Sequence, residues 1–199
     1  MTIYIKNNWI RNSLNKLFEL IMGREVCYPV IPHDNKILFY KRDRNEFGFL
    51  SNFYNSEFDL EGITWTSVEQ YYQYQKSENK EYRRLILGAK NAATIKQLSD
   101  SRIGNKYQSD KSWFKQNPKD FRSNWKSVKY EIMKKAVEAK FQQNEKLKNR
   151  LIATQNSEII EDSKWDFYWG TGHNNSGENN LGKILMQKRE DSLNRKRQK

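Results

Sequence analysis

Residues 165–182, Trp-Asp-Phe-Tyr-Trp-Gly-Thr-Gly-His-Asn-Asn-Ser-Gly-Glu-Asn-Asn-Leu-Gly, constrain this chain more than any other stretch. Four glycines and four asparagines stand within it. Glycine loses the most backbone freedom on ordering, and asparagine competes for the backbone's own hydrogen bonds, so neither a helix nor a strand interior suits such a run. A loop over residues 165–180 is expected. Its composition fits the wall of a pocket for a polar, ring-shaped ligand. Glycine lets the backbone approach, asparagine donates and accepts, and tryptophan offers a flat face.

The 199 residues fit one domain with appended ends. Apolar residues make up 36% and aromatics 14%, so the core is expected to rest on large rings rather than many aliphatics. No run approaches the roughly 18 consecutive apolar residues that span a bilayer, and no segment reads as a secretory signal peptide. The expectation is a cytoplasmic protein with no membrane partner. Cys27 is the only cysteine, which excludes an intrachain disulfide and fits a reducing compartment. His33 and His173 are the only imidazoles, so no zinc site is expected. The net charge of +12 suits phosphorylated partners, from nucleotides to nucleic acid. Basic residues gather at the end, at Lys188, Arg189, Arg195, Lys196, Arg197 and Lys199. Spread along a chain, however, such charge is also the mark of an ordinary solvated surface.

Along the chain, Ile10, Leu14, Leu17, Phe18 and Ile21 fall at helical spacing and predict an amphipathic helix over 1–22. Gly23 stops it, and Pro29 and Pro32 mark a linker that completes an N-terminal extension over 1–36. Ile37 to Tyr40 reads as a strand, with Phe58 to Trp65 as its hairpin partner and Glu61-Gly62 at the turn. Ser67, followed three residues on by Gln70, reads as a capping box opening a helix to about Lys76. Further helices are expected over 81–87, 92–99, 146–154 and 181–189. Val128, Ile132, Met133, Ala136, Val137 and Phe141 form the apolar stripe of a long helix, read as core. The basic tail over 191–199 is expected to fray. Strands and helices do not alternate, and the glycine spacing at 170, 172 and 177 is not a dinucleotide fingerprint. The expected class is α+β, mainly helical, with a small sheet or hairpin.

Three constellations bear on chemistry. Glu69, Tyr72, Gln73 and Lys76 share one helix face. They are either a solvent-facing polar surface or a carboxylate and a lysine facing a cleft, able to run acid–base or Schiff-base chemistry at a sugar carbon. Asp166 stands between aromatic residues and reads either as a reactive carboxylate or as a loop cap. Gly48 to Tyr54 reads as a turn that shows the polar tips of Ser51 and Asn52 between buried rings.

Taken together and in order, these pieces resemble the NADAR (YbiA-like) family. Phe47-Gly48-Phe49-Leu50-Ser51-Asn52-Phe53-Tyr54 and Trp65-x-Ser67-x-Glu69-x-x-x-Gln73-x-x-Lys76 are similar to its front half. Ala139-Lys140-Phe141, Glu161-x-Ser163-x-x-Asp166-x-x-Trp169-Gly170-x-Gly172, Gly177-x-Asn179-x-Leu181-Gly182 and Leu185-Met186-x-x-Arg189 are similar to the back half. The likeness spans residues 37–190. It departs at Gln70, at Gly104-Asn105 and at Asn124, where the family often carries histidine, Gly-Arg and aspartate. The resemblance implies an N-glycosidase with no cofactor, acting on ribosylamino intermediates of riboflavin synthesis or on ADP-ribose attached to guanine in nucleic acid. A third alternative is a module that binds ADP-ribose without turnover. Glu69, Lys76 and Asp166 would be the catalytic set, with the acid, base and nucleophile unassigned. Gly48, Ser51, Asn52, Phe53, Tyr72, Gln73, Trp169, Gly170, Asn179 and Asn180 would line a ribose-phosphate pocket, and Trp125 would stack on the leaving base.

Overall fold

A computed structural model of the protein describes residues 35–40 and 46–197. The helix read at 1–22, its linker, Cys27 and His33 lie outside those residues. The fold is α+β and mainly helical. Strand β1 (Lys36–Phe39) is followed by a 3-10 turn (Gly48–Leu50) and by strands β2 (Phe58–Leu60) and β3 (Ile63–Trp65). Helices α1 (Val68–Tyr74), α2 (Lys80–Leu87), α3 (Ala92–Leu98), α4 (Trp113–Gln116), α5 (Trp125–Gln143) and α6 (Glu145–Ile152) come next. Strand β4 (Glu158–Glu161) and helix α7 (Asn180–Arg197) close the chain.

The strand pairing differs from expectation. Phe58–Trp65 is a hairpin on its own, Phe58 level with Trp65. It turns through Glu61 (φ 55°) and Gly62 (φ 76°), the paired positive φ values that match a two-residue turn to strand twist. The true partner of β1 is β4, in parallel, with Lys36 level with Glu158 and Phe39 level with Glu161. Parallel strands need a crossover, and here nearly the whole helical domain is that crossover. The Glu-Ile-Ile-Glu of β4 is too short for its alternation to stand out in the sequence.

Helix α5 is the central support. Ile132, Met133, Ala136, Val137 and Phe141 are buried on it, as the stripe predicts. Each large side chain so removed from water contributes about 2 kcal/mol. Helix α1 packs on one flank of α5, and α7 packs across α5, α6 and β4. A satellite core of Tyr82, Ile86, Ile95 and Phe114 ties α2, α3 and α4 together. Ser67 caps α1, its hydroxyl accepting from Gln70 N at 3.2 Å. The return half of a capping box is absent, because Gln70 Oε1 accepts instead from Thr66 N at 3.0 Å. Its Nε2 reaches Ile86 O on α2. The basic tail does not fray at Asp191. Helix α7 continues to Arg197, with Lys188 and Ser192 buried against the domain.

Residues 165–179 carry no regular structure, one residue short of the expected loop, since Asn180 already opens α7. Its glycines serve the fold. A Cβ at Gly170 would stand 2.7 Å from Glu161 O, and one at Gly182 would press into Ile159 O and the Asn179 amide. At these two positions the close approach that glycine permits is to strand β4. Gly182→Ala is therefore expected to destabilise the protein by about 2–3 kcal/mol. A urea midpoint matching that of the unsubstituted protein would refute that packing.

Candidate active site

Helix α1 is buried along Val68 to Gln73, held between α5 on one side and α2 and α3 on the other. Its polar face therefore cannot be a solvated surface. Glu69, Gln73 and Lys76 are only 5%, 7% and 8% exposed. The Glu69 N–H donates to Asn52 O at 3.0 Å, which fixes the start of the helix to the 48–54 turn. Glu69 Oε1 accepts from Gln73 Nε2 at 2.8 Å. Burial pushes the Glu69 carboxyl up. The Gln73 bond and the charges of Lys76 and Lys96 pull it back, and Asp166 adds to the rise.

Lys76 lies just past α1, in a turn closed by its own N–H to Gln73 O. Its Nζ donates to Ser99 O at 3.0 Å and to Ser101 Oγ at 3.2 Å. Burial lowers it to about 8, against the opposing pull of Glu69 and Asp100. Near neutral pH a usable fraction is then the free amine. With two hydrogens engaged, the remaining tetrahedral direction carries either the third proton or the lone pair.

A cavity of about 570 Å³ opens at this point, its lining including Gln73, Lys76, Lys96, Ser101, Arg102 and Ser109. Arg102 is held in a two-pronged pair with Asp100, Nη2 to Oδ2 at 2.7 Å and Nε to Oδ1 at 2.9 Å. Burial pushes Asp100 up, but hydrogen bonds from Arg102 and from Ser109 N outweigh it and hold the carboxyl at about 2. Lys96, exposed at the end of α3, carries no such paired acid; it stands over the Phe53 ring at 5.5 Å. Its charge is felt by Glu69, Lys76 and Glu161.

Asp166 is not among the residues lining that cavity. Its charge raises the Glu69 carboxyl, while that of Lys76 lowers it. The loop-cap reading of Asp166 holds in the structure. One oxygen caps the loop, Oδ1 accepting from Trp169 N at 2.7 Å and Tyr168 N at 3.0 Å, while Oδ2 takes no hydrogen bond from a described residue. Its aromatic flanks are not a burial shell, for Trp165 is 84% exposed. Trp169 is buried and donates Nε1 to Tyr72 Oη at 3.1 Å. Tyr72 in turn packs on Trp125, with ring centroids 4.9 Å apart. That contact and the burial of Trp125 place its ring in the wall behind Lys76, whose Nζ lies 6.0 Å from the ring centroid. Burial raises the Tyr72 hydroxyl.

The other residues expected in a pocket divide. Asn52 and Gln73 each keep a buried side-chain oxygen with no partner among the described residues, Oδ1 and Oε1 respectively, in a setting where such atoms are nearly always bonded. Gly48 opens the 3-10 turn, and Ser51 Oγ accepts from Phe53 N at 3.2 Å, a turn-internal bond. Asn179, expected at the ligand, instead pins β4. Its Oδ1 accepts from Glu161 N at 3.0 Å and its Nδ2 donates to Ile159 O at 2.9 Å. Asn180 opens α7 and donates Nδ2 to Glu178 Oε2 at 2.8 Å. Gly170 faces Glu161 O, as described above.

Two residues named in the motifs of the resemblance were given no role from sequence. Lys140 is 1% exposed and donates Nζ to Phe49 O at 2.8 Å and Ser51 O at 3.0 Å, pinning the turn that presents Asn52. Its signal was present, since Met133, Ala136, Val137 and Lys140 share one helical stripe. Glu161 is the second. The residue is half-buried, yet its Oε2 is closed off and has no partner among the described residues. Burial, with the charges of Asp166 and Glu69, raises it to about 8. Among the described residues, no cluster of three or more histidine, cysteine or acidic side chains is placed to hold a metal ion. No described helix is long and apolar enough to cross a membrane.

Fold and site define a class: a small α+β protein with a buried acid–lysine constellation at a basic cavity. Residues 38–192 match the NADAR domain, and the chain belongs to the NADAR family. It is 34% identical over 160 residues to the N-glycosidase YbiA of Escherichia coli K12, covering 80% of this chain and 90% of that protein. It is 36% identical over 168 residues to a riboflavin biosynthesis protein of Vibrio vulnificus, covering 83% of this chain but 41% of that longer protein. The NMR structure of E. coli YbiA superposes with a TM-score of 0.67 at 31% identity, covering 83% of this chain and 89% of that one.

Proposed function

We propose that this protein is an N-glycosidase that hydrolyses the C–N bond between ribose and a base-like amine, with phosphorylated ribosylaminopyrimidines of early riboflavin synthesis as substrates. The observation that carries the reading is a buried carboxylate, Glu69, bonded to Gln73 on the helix that leads into the buried Lys76, with Gln73 and Lys76 both lining a cavity. The N-glycosidase and riboflavin-related names of the relatives agree with it.

In this reading Lys96 at the cavity rim attracts the phosphate. Breaking the C–N bond builds positive charge at C1′, which the Glu69 and Asp166 carboxylates stabilise. Lys76, free amine in part because it is buried, attacks C1′ and captures the opened sugar as an imine that water then hydrolyses. Glu69 takes the proton that Lys76 releases.

Purified protein incubated with a ribosylaminopyrimidine 5′-phosphate is expected to release ribose 5-phosphate. The +12 charge and the exposed Trp165 favour a second substrate, ADP-ribose joined to guanine in nucleic acid, with the tryptophan stacking on a base. Release of ADP-ribose from modified oligonucleotide, without turnover of the pyrimidine, would replace the first substrate with the second. Tight ADP-ribose binding with no turnover of either would overturn the enzyme reading in favour of a binding module.

A further inference from the structure

The segment that follows α3 is organised around one carboxylate. Asp100 Oδ1 accepts from the Arg102 N–H at 3.1 Å and from Arg102 Nε at 2.9 Å. Its Oδ2 accepts from Arg102 Nη2 at 2.7 Å and from the Ser109 N–H at 2.8 Å. The Asp100 carbonyl accepts in turn from Gln108 Nε2 at 3.0 Å and Ser112 Oγ at 2.6 Å. A guanidinium held by two parallel bonds is fixed in direction before any ligand arrives. Arg102 still has donors to give. Its Nε and one Nη2 hydrogen are engaged, while both Nη1 hydrogens reach no described acceptor, and the side chain is 57% exposed.

Ser101 and Ser109 stand beside Arg102 on the cavity lining. Ser101 Oγ accepts from Lys76 Nζ at 3.2 Å, Ser109 Oγ accepts from Lys111 N at 3.2 Å, and neither hydroxyl donates to a described residue. Lys96 lines the same cavity and pairs with no described acid. Among the described residues Asp100 is the only acid on that lining, and both its oxygens are already occupied. The lining thus offers oriented N–H and O–H donors and an uncompensated cation. That combination fits a phosphoryl group, which accepts strongly through several oxygens and carries negative charge.

We propose that Arg102, Ser101, Ser109 and Lys96 form the phosphate end of the cavity, and that Arg102 selects ribosyl substrates that carry a phosphoryl group. The choice of a ribosyl substrate rests on the N-glycosidase reading; the binding of an anion here does not. Two kinds of work are divided. The charge of Arg102 is balanced by Asp100, so this residue supplies direction, and Lys96 supplies net charge. The bond from Lys76 Nζ to Ser101 Oγ sets the phosphate end next to the amine, so a phosphate held there anchors the sugar beside Lys76.

The test uses the full chain with ribose 5-phosphate and ribose as calorimetric probes. One variant combines Asp100→Asn with Arg102→Gln, which removes both charges of the pair and leaves no acid unpaired; the other is Lys96→Gln. Ribose 5-phosphate is expected to bind the unsubstituted protein more tightly than ribose and to be displaced by inorganic phosphate. The double variant should weaken that binding by about tenfold to a hundredfold, the worth of charge-assisted hydrogen bonds. Lys96→Gln should weaken it by about threefold to tenfold at low salt, and by less at high salt because an exposed charge is screened. In turnover of a ribosylamine 5′-phosphate these losses should fall on KM rather than kcat, and the penalty should largely vanish when the substrate lacks its phosphate. A penalty equal for substrates with and without phosphate makes the Asp100–Arg102 pair a loop staple alone and overturns the site while leaving the N-glycosidase reading standing. Should the double variant fail to fold, Lys96→Gln decides, and an unchanged affinity at low salt overturns the site. ADP-ribose that binds more tightly than ribose 5-phosphate, with the same losses in the variants, supports the site and assigns the phosphoryl group to a diphosphate. Binding of ribose 5-phosphate through Arg102 by a protein that cleaves no ribosylated amine keeps the anion site and overturns the N-glycosidase reading.

Discussion

Lys76→Ala is expected to cut turnover by about three orders of magnitude while leaving substrate affinity little changed, the mark of a group that acts in the transition state. Lys76→Arg should do no better despite keeping the charge, since a guanidinium does not give up its proton and forms no imine. Borohydride added during turnover would fix the imine as a stable bond between sugar and protein, detected by mass in the unsubstituted chain and missing in both variants. Glu69→Gln should lower the rate by about a hundredfold, because the amide neither takes a proton nor stabilises positive charge. A rate left intact by Lys76→Ala and Glu69→Gln alike would remove these residues from the chemistry. The burial of Lys76 gives the expected sign with pH. Its amine is lowered to about 8, so the rate climbs as pH rises toward that value and more of the lone pair is released.

The second large effect falls on stability. Lys140→Met keeps the stem and removes the two N–H donors to Phe49 O and Ser51 O. Each buried carbonyl left without a donor costs about 1–3 kcal/mol, partly offset because a buried charge is also removed, for a net loss of about 2–4 kcal/mol in urea melts. Burial pulls Lys140 down to about 7 from its ordinary 10.5, while its two carbonyl acceptors favour the charged form. Between those values the unfolded chain binds more protons at this site than the folded one, so its contribution to stability rises with pH across that window. Below it, both states are charged and the burial penalty is complete. The difference in stability between the original protein and Lys140→Met should therefore widen as pH is raised through and above about 7. A difference that stays constant or narrows over that range would mean Lys140 keeps its ordinary proton affinity in the fold.

Periodic features were legible in the sequence because their physics is local. The apolar stripe on α5 and the Ser67 cap depend on residues within a few positions of one another, and both stand in the structure. Pairing was less legible. Phe58 to Trp65 carries its own two-residue turn, yet β1 and β4 show nothing in themselves that names their partner, which most of the chain separates. The site was legible to the extent that Glu69 and Gln73 share a helix face and Lys76 follows in the turn that ends it. Whether that face met water or the interior depended on α2, α3 and α5 closing around it.

The glycine and asparagine loop draws the same line most sharply. Its residue types by themselves required a segment without regular structure in which backbone approaches closely. Only the fold decided what approaches: Gly170 and Gly182 admit strand β4, and Asn179 gives both ends of its amide to that strand. Glu161, an acid at the end of that strand, has its backbone N–H bonded to Asn179 and keeps one carboxyl oxygen closed off with no partner among the described residues. Side-chain type and spacing set what each group can do. Burial and the arrival of distant neighbours, which depend on the whole chain, set whether it is solvated, bonded or left to meet a ligand.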